Sequence, residues 1–194
     1  DQVRVARAQL PLAFEANQGQ SDARVKFLSR GRGYTLFLTP AEAVLALRKP
    51  QAGESPVSRE LSLKHEPPPA TDATALRIQL VGANPKAEVV GLEELPGKVN
   101  YFLGSDPAKW RADIPTYARV KYQQVYPGVD LVYNGDQRQL EYDLIVAPGA
   151  DPTAIKLAFE GVEKLSIDSG GDILLHIPGG ELRQLKPLIY QQVD

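Results

Sequence analysis

The stretch Tyr117-Ala-Arg-Val-Lys-Tyr-Gln-Gln-Val-Tyr-Pro-Gly-Val-Asp-Leu-Val-Tyr-Asn-Gly135 decides the fold. Aromatic and β-branched residues crowd Tyr117–Val125 and Val129–Tyr133, and such side chains pack best on a pleated, half-buried surface. Pro127-Gly128 breaks the two runs, and Asn134-Gly135 ends the second before another begins at Gln139–Val146. Short runs punctuated by turn residues predict antiparallel strands rather than helices.

The same pattern extends outward on both sides. Leu76, Ile78 and Leu80 alternate with Arg77 and Gln79, the period of two expected when one face of a strand is buried. Lys98–Leu103, Ile155–Phe159, Lys164–Ile167, Ile173–Ile177 and Glu181–Leu185 continue the series, broken by Pro148-Gly149, Gly170-Gly171 and Pro178-Gly-Gly180. Asp106-Pro-Ala-Lys-Trp110 predicts one helical turn, with Asp106 as its cap and Pro107 at the first position. Before these, Leu10–Gln20 reads as an extended lead-in, and Val25–Leu28 as a short strand closed by Gly31-Arg-Gly33. Tyr34–Leu38 and Ala43–Leu47 around Thr39-Pro-Ala-Glu42 read as a hairpin, with a helix over Pro40–Leu47 as the competing reading.

The expected fold is therefore mostly β, an antiparallel β-sandwich with short helical turns and a Pro-rich exposed loop. Residues 1–194 form one domain in this reading. Residues 1–49 supply the N-terminal extended segment and hairpin, 50–74 a mobile Pro-rich loop containing Pro67-Pro-Pro69, and 75–194 the main β region. Leu188–Asp194 still reads as a strand, which suggests the N-terminal part of a longer chain.

Composition narrows the chemistry. The 194 residues include no Cys, so there is no disulfide framework, thiolate metal site or thiol nucleophile. A net charge of -2 gives no electrostatic footprint for nucleic acid or an anionic membrane. No apolar run approaches the roughly 20 residues of a membrane span. The chain also lacks Met and begins at Asp1. A secretory signal peptide that has been removed would explain that start, as would an engineered boundary.

Several constellations invite chemistry, and each has a plainer reading. His65 lies in the Pro-rich segment, and His176 on the strand face opposite Ile173, Leu175 and Ile177. A Ser-His-Asp mechanism would require a nucleophile elbow such as G-x-S-x-G, which is not found. Glu141 and Asp143 flank Tyr142, so their carboxylates share one strand face about 7 Å apart, a spacing open to glycosidase chemistry. A solvated face, paired with Arg138 or Lys121, is the alternative. Asp168-Ser-Gly-Gly-Asp172 offers weak Ca²⁺ candidates in Asp168 and Asp172, against a tight turn that needs the same residues. Asp130, Asn134 and Asp136 form a second acidic group of the same kind. Gly31-Arg-Gly33 lacks phosphate-loop spacing. Among the crowded aromatics, Trp110, Tyr117 and Tyr133 are the candidate ligand-binding residues, with Trp110 foremost because it falls on a predicted loop.

Taken in order, one set of segments resembles a known family. Leu12-Ala-Phe-Glu-Ala-Asn-Gln-Gly-Gln20, Ala23–Leu28 and Gly33–Leu38 open it. Leu80-Val-Gly-Ala-Asn-Pro85, Tyr101-Phe-Leu-Gly104, Trp110 and Tyr126–Tyr133 follow. Leu140-Glu-Tyr-Asp143, Val146–Pro152 and Phe159-Glu-Gly161 complete it. Together, over roughly residues 9–194, they are similar to the uncharacterised domain at the N-terminus of bacterial secreted proteins carrying SBBP (β-propeller) repeats. The resemblance implies an exported module, extracellular or at the cell surface, and brings no catalytic residues or cofactor with it. The expected function is a non-catalytic adhesive, assembly or scaffolding role. Its partners would be downstream domains of the same polypeptide, other protomers or cell-surface glycans. Carbohydrate binding is the first alternative, and glycan hydrolysis through Glu141 and Asp143 the second.

Overall fold

A computed structural model describes residues 11–31, 33–48, 73–136 and 139–191. His65, Arg138 and nearly all of the Pro-rich segment lie outside these residues. The described chain is mostly β and antiparallel, with thirteen strands and two 3₁₀ turns. The strands are β1 (Phe14–Ala16), β2 (Phe27–Gly31), β3 (Tyr34–Leu38), β4 (Glu42–Arg48), β5 (Ala73–Leu80), β6 (Glu88–Tyr101) and β7 (Arg111–Tyr126). They continue as β8 (Val129–Gly135), β9 (Leu140–Val146), β10 (Leu157–Glu160), β11 (Lys164–Ile167), β12 (Ile173–Ile177) and β13 (Gly180–Gln184). No helix among the described residues is long and apolar enough to cross a membrane.

Where the sequence predicts a sandwich, the observed main sheet is a single hydrogen-bonded surface of ten strands, curled into a half-barrel. A second, small sheet runs in the order β11-β12-β13. β7 organises the large sheet because it serves three partners. β6 follows one edge along most of its length, while β1 (at Thr116 and Tyr117) and then β8 (from Val120) share the other. One branch continues β1-β2-β3-β4-β5-β10 and the other β8-β9. Both branches contribute to one apolar cluster: Phe14, Leu36 and Leu76 from the first, Leu131 and Tyr133 from the second, with Tyr122 of β7 between them. Tyr122 is fully buried, and its hydroxyl donates to the Thr39 carbonyl at 2.7 Å, joining the branches across the core.

A strand that serves two branches has to bend, and β7 does so at bulges. The register shifts between Tyr122 and Tyr126 on β7, and on β6 opposite the other end of β7, between Val99 and Tyr101. Gln124 and Asp113 sit near these points with φ of 48° and 56°. The left-handed region costs a non-glycine residue on the order of 1 kcal/mol or more, and a side chain offsets that cost at each site. Asp130 Oδ1 accepts from the Gln124 N–H at 2.7 Å, and Asn100 Oδ1 from the Asp113 N–H at 2.8 Å. Gly91 answers a different demand. The Tyr117 ring occupies the place where a Cβ would stand, so only glycine leaves room for it. That ring packs edge-on against Phe27, with centroids 5.8 Å apart.

The hairpin over Tyr34–Leu38 and Ala43–Leu47 forms as β3 and β4, and no helix replaces it. β2 to β4 belong to the main sheet, with Phe27, Leu38 and Leu45 in the shared cluster. The small sheet joins that cluster through Leu175, with Ile173 and Leu182 packed beside it. One expectation fails at the far end. Residues 185–191 pair with no strand, because Pro187 lacks the N–H a ladder needs and Lys186 spends its own on a side chain.

Candidate functional site

The Phe14–Gln20 segment builds a corner, not a plain lead-in. Phe14 points into the core, so its neighbour Glu15 faces the other side of the sheet, where it is nonetheless buried. Its carboxylate pairs with Arg30 of β2 and accepts from the Tyr101 hydroxyl at the end of β6. Arg30 Nη1 also donates to that hydroxyl at 2.6 Å, and its guanidinium lies 5.4 Å from the Tyr101 ring centre. Every partner in this network is charged or hydrogen-bonded, as a buried carboxylate requires. Burial first, then the bond to Glu15, push the Tyr101 hydroxyl far above its ordinary pKa.

Asn17 then organises the loop that follows. Its Nδ2 donates to the carbonyls of Asp22 and Val25, each at 2.8 Å. Its Oδ1 accepts from the N–H groups of Gly19 at 3.1 Å and Ser21 at 3.2 Å. Gly19 adopts φ 99°, which disfavours any side chain there. The loop presents the Gln18 carbonyl to Arg111 Nε at 3.0 Å.

Arg111 is on the second leg of the β6–β7 hairpin, whose tip runs from Phe102 to Trp110. Asp106 caps a 3₁₀ turn at Pro107–Lys109, accepting from the Ala108 N–H at 3.1 Å. Arg111 Nη1 donates to the carbonyls of Ala108 and Trp110, and Trp110 Nε1 donates to Gly104 at 3.2 Å. Phe102 and Trp110 meet edge to face at 5.3 Å and 76°. The tip thus holds three large apolar side chains in the open, Phe102 at 60%, Leu103 at 49% and Trp110 at 39% exposure. With the indole N–H already satisfied internally, this is an apolar knob of fixed shape. It can bury apolar surface in a recess or lay a ring edge on a ligand.

The other candidate residues separate from it. Tyr117 is half-buried against Phe27, and Tyr133 is 3% exposed inside the core, so neither joins Trp110. Tyr133 is packed on both sides, between Tyr122 and Tyr142. Glu141 and Asp143 are exposed on β9, opposite the inward Tyr142, and Asp143 accepts from Asn134 at 2.8 Å. That is the arrangement of a solvated strand face. Asp168 and Asp172 are committed to their turn. Asp168 accepts from the N–H groups of Gly170 and Asp172, and Arg183 donates to both carboxylates, at 3.0 and 3.2 Å. Asp130 pairs with Lys121 at 2.8 Å, and Asp136 accepts from the Gln139 N–H. Among the described residues no group of three or more acidic, His or Cys side chains could hold a metal ion.

His176 does acquire neighbours that the sequence did not suggest. Ser166 Oγ lies 3.4 Å from its Nε2, and Glu181 Oε2 lies 3.4 Å from its Nδ1. The order is that of a hydrolytic triad, but Ser166 sits mid-strand, its backbone in register with Leu174, rather than on the sharp turn that presents a nucleophile. The Glu15–Arg30–Tyr101 network was also unforeseen. Its one trace in the sequence is an isolated Glu between Phe14 and Ala16, in a run otherwise fit for burial.

Among curated proteins and solved structures, none matches the chain. A family model covers residues 14–194, from the first core phenylalanine onward, and so takes in both the corner and the hairpin tip. The chain belongs to the family described as a domain of unknown function, DUF7948.

Proposed function

We propose that the chain is a non-catalytic docking module, serving adhesion or assembly. In this proposal it is exported, as the N-terminal domain of a secreted or surface protein with SBBP repeats would be. Its two sheet branches would press together as the layers of a sandwich do, without a disulfide. The observation that carries the proposal is where the large apolar side chains lie in the open. Phe102, Leu103 and Trp110 share the hairpin tip, and Leu185, Leu188, Ile189 and Tyr190 share the segment after β13. Clustered exposed apolar surface marks an interaction site, whereas scattered single residues do not.

The chain has one tryptophan, at the tip, which provides the test. In the protein extended by its natural neighbouring domains, or mixed with its native surface material, Trp110 emission should shift to the blue. Phe102→Ser together with Leu103→Ser should abolish the shift. Emission unchanged in every such setting, with tip and C-terminal segment equally open to hydrogen exchange, would sink the proposal.

A sugar-binding role is the second reading, favoured by one feature, the exposed Trp110–Phe102 pair. Polysaccharide binding that is lost in Trp110→Ala would support it. A glycan panel without binding would remove it.

A further inference from the structure

We propose that the segment Leu185–Gln191 is a strand-forming arm that adds to the open edge of β11 in a second copy of the chain, so that two protomers exchange arms. This deepens the docking proposal by naming the partner for one of its two surfaces.

Three features of the small sheet point to it. First, the outer edge of β11 has no partner among the described residues, and an unpaired edge is a template for another strand. Second, β11 displays uncovered apolar side chains on the sheet's inner face. Leu165 and Ile167 align with Leu175 and Ile173 of β12, yet they remain 46% and 68% exposed. The apolar face overhangs the core that covers its centre. Third, the arm matches the edge in pattern. The four residues of Lys164–Ile167 can be met by Leu188–Gln191, which follow Pro187. In an extended arm Leu188 and Tyr190 share a face, and so can continue the row of Leu165 and Ile167, while Ile189 and Gln191 fall on the face of Ser166.

The arm's exit favours a second copy over its own sheet. It leaves β13, which lies across β12 from β11. The Lys186 N–H donates to Asp172 Oδ1 at 2.9 Å, fixing the exit at the Asp168–Asp172 turn. Pro187 then restricts the chain further. Leu188, Ile189 and Tyr190 stand 87%, 89% and 77% exposed, so among the described residues both the arm and the edge are left unused. Leu185, Leu188, Ile189 and Tyr190 of the arm, with Leu165 and Ile167 of the edge, would bury at most about 1,500 Å² in a reciprocal pair, within the size range of a stable interface.

The chain's freedom from cysteine makes the test direct. Sedimentation velocity on the full chain over rising concentration should show a monomer–dimer equilibrium. Leu188→Asp with Tyr190→Asp should weaken it by roughly tenfold or more. Phe102→Ser should leave it unchanged. Mixing one chain bearing Ser166→Cys with another bearing Ile189→Cys should give, on oxidation, a disulfide-linked heterodimer. A monomer at every concentration, a dimer indifferent to the Leu188 and Tyr190 substitutions, or an intrachain disulfide in the doubly substituted chain would each overturn the arm exchange. A monomer whose Trp110 still responds to neighbouring domains would overturn only the arm exchange and leave the docking proposal standing.

Discussion

The hairpin tip and the C-terminal arm expose similar kinds of side chain but hold them in opposite ways. Beneath the tip lie the half-buried Glu15–Arg30 ion pair, the Asn17-centred loop and Arg111, whose guanidinium grips three carbonyls. The arm is tied down at Lys186 and carries no ladder beyond it. A fixed knob loses little freedom on binding and suits a preformed recess. An extended arm loses more, but gains main-chain hydrogen bonds when it joins a sheet edge. The contrast implies two contacts of different character, and each can be broken separately.

The largest effect should follow Arg30→Ala. It leaves Glu15 buried without its counter-charge, a change that costs about 3–5 kcal/mol at fully buried pairs. The Arg30 side chain is 38% exposed, so water screens part of the loss. We expect about 2 kcal/mol, or a melting temperature lower by roughly 4–8 °C. Amides around Phe102–Trp110 should exchange faster, while those at the arm stay as they were. Equal acceleration at both ends would show that the tip draws no special support from the ion pair.

Asn17→Ala should come next. It removes a side chain with four good backbone bonds, and we expect about 1–2 kcal/mol in chemical denaturation. Because the loop presents Gln18 to Arg111, the variant should also loosen the tip, with a red shift of Trp110 emission. A loss of stability without that shift would confine Asn17 to its own loop.

Strand positions were legible in the sequence wherever alternation was unbroken. Lys164–Ile167 and Ile173–Ile177 appear with the bounds expected, as does the capped turn at Asp106. What stayed hidden follows from long-range pairing. Glu88–Gly97 contains Pro96, two Gly and three Glu, so no local pattern marks it as a strand. It forms because β7 offers a long edge and a bulge admits the proline. The branching at β7 was invisible for the same reason: which strand takes which edge depends on residues about a hundred positions apart. The site was half legible. Trp110 was found because Pro and Asp mark its loop, but Phe102 beside it read as the end of a strand. Tyr133 and Trp110 cannot be told apart by residue type, since an aromatic serves a core or a surface equally well.

Asp172→Ala should have a smaller effect. It removes the acceptor for the Lys186 N–H and one partner of Arg183, both at the surface. We expect about 0.5–1 kcal/mol or less in global stability. Hydrogen exchange at the Lys186 amide should quicken, and exchange at the tip should not. If the arm proves no freer, then Pro187 rather than Asp172 sets its course.

Titration should separate the two ends by sign, with the smallest changes of all. Asp168 has its carboxyl held below the usual range, first by the Asp172 N–H, then by Gly170 and Arg183. A depressed pKa means that the unfolded chain takes up the proton first. The contribution is therefore complete above about pH 4 and fades as acid protonates the folded carboxylate. Tyr101 runs the other way, since burial raises its pKa. Its contribution is complete below about pH 10 and fades as alkali ionises the hydroxyl. Acid should thus lower amide protection, measured against the intrinsic exchange rate at each pH, at the Asp168–Asp172 turn, and alkali should lower it around the tip. Tyr122 and Tyr133 share the alkaline sign because they too are buried. Tyr101→Phe therefore isolates the tip: it should remove the local alkaline response around Phe102 while the core's remains. An unchanged response in that variant would assign the whole effect to the core tyrosines and take pH away as a means of loosening the tip alone.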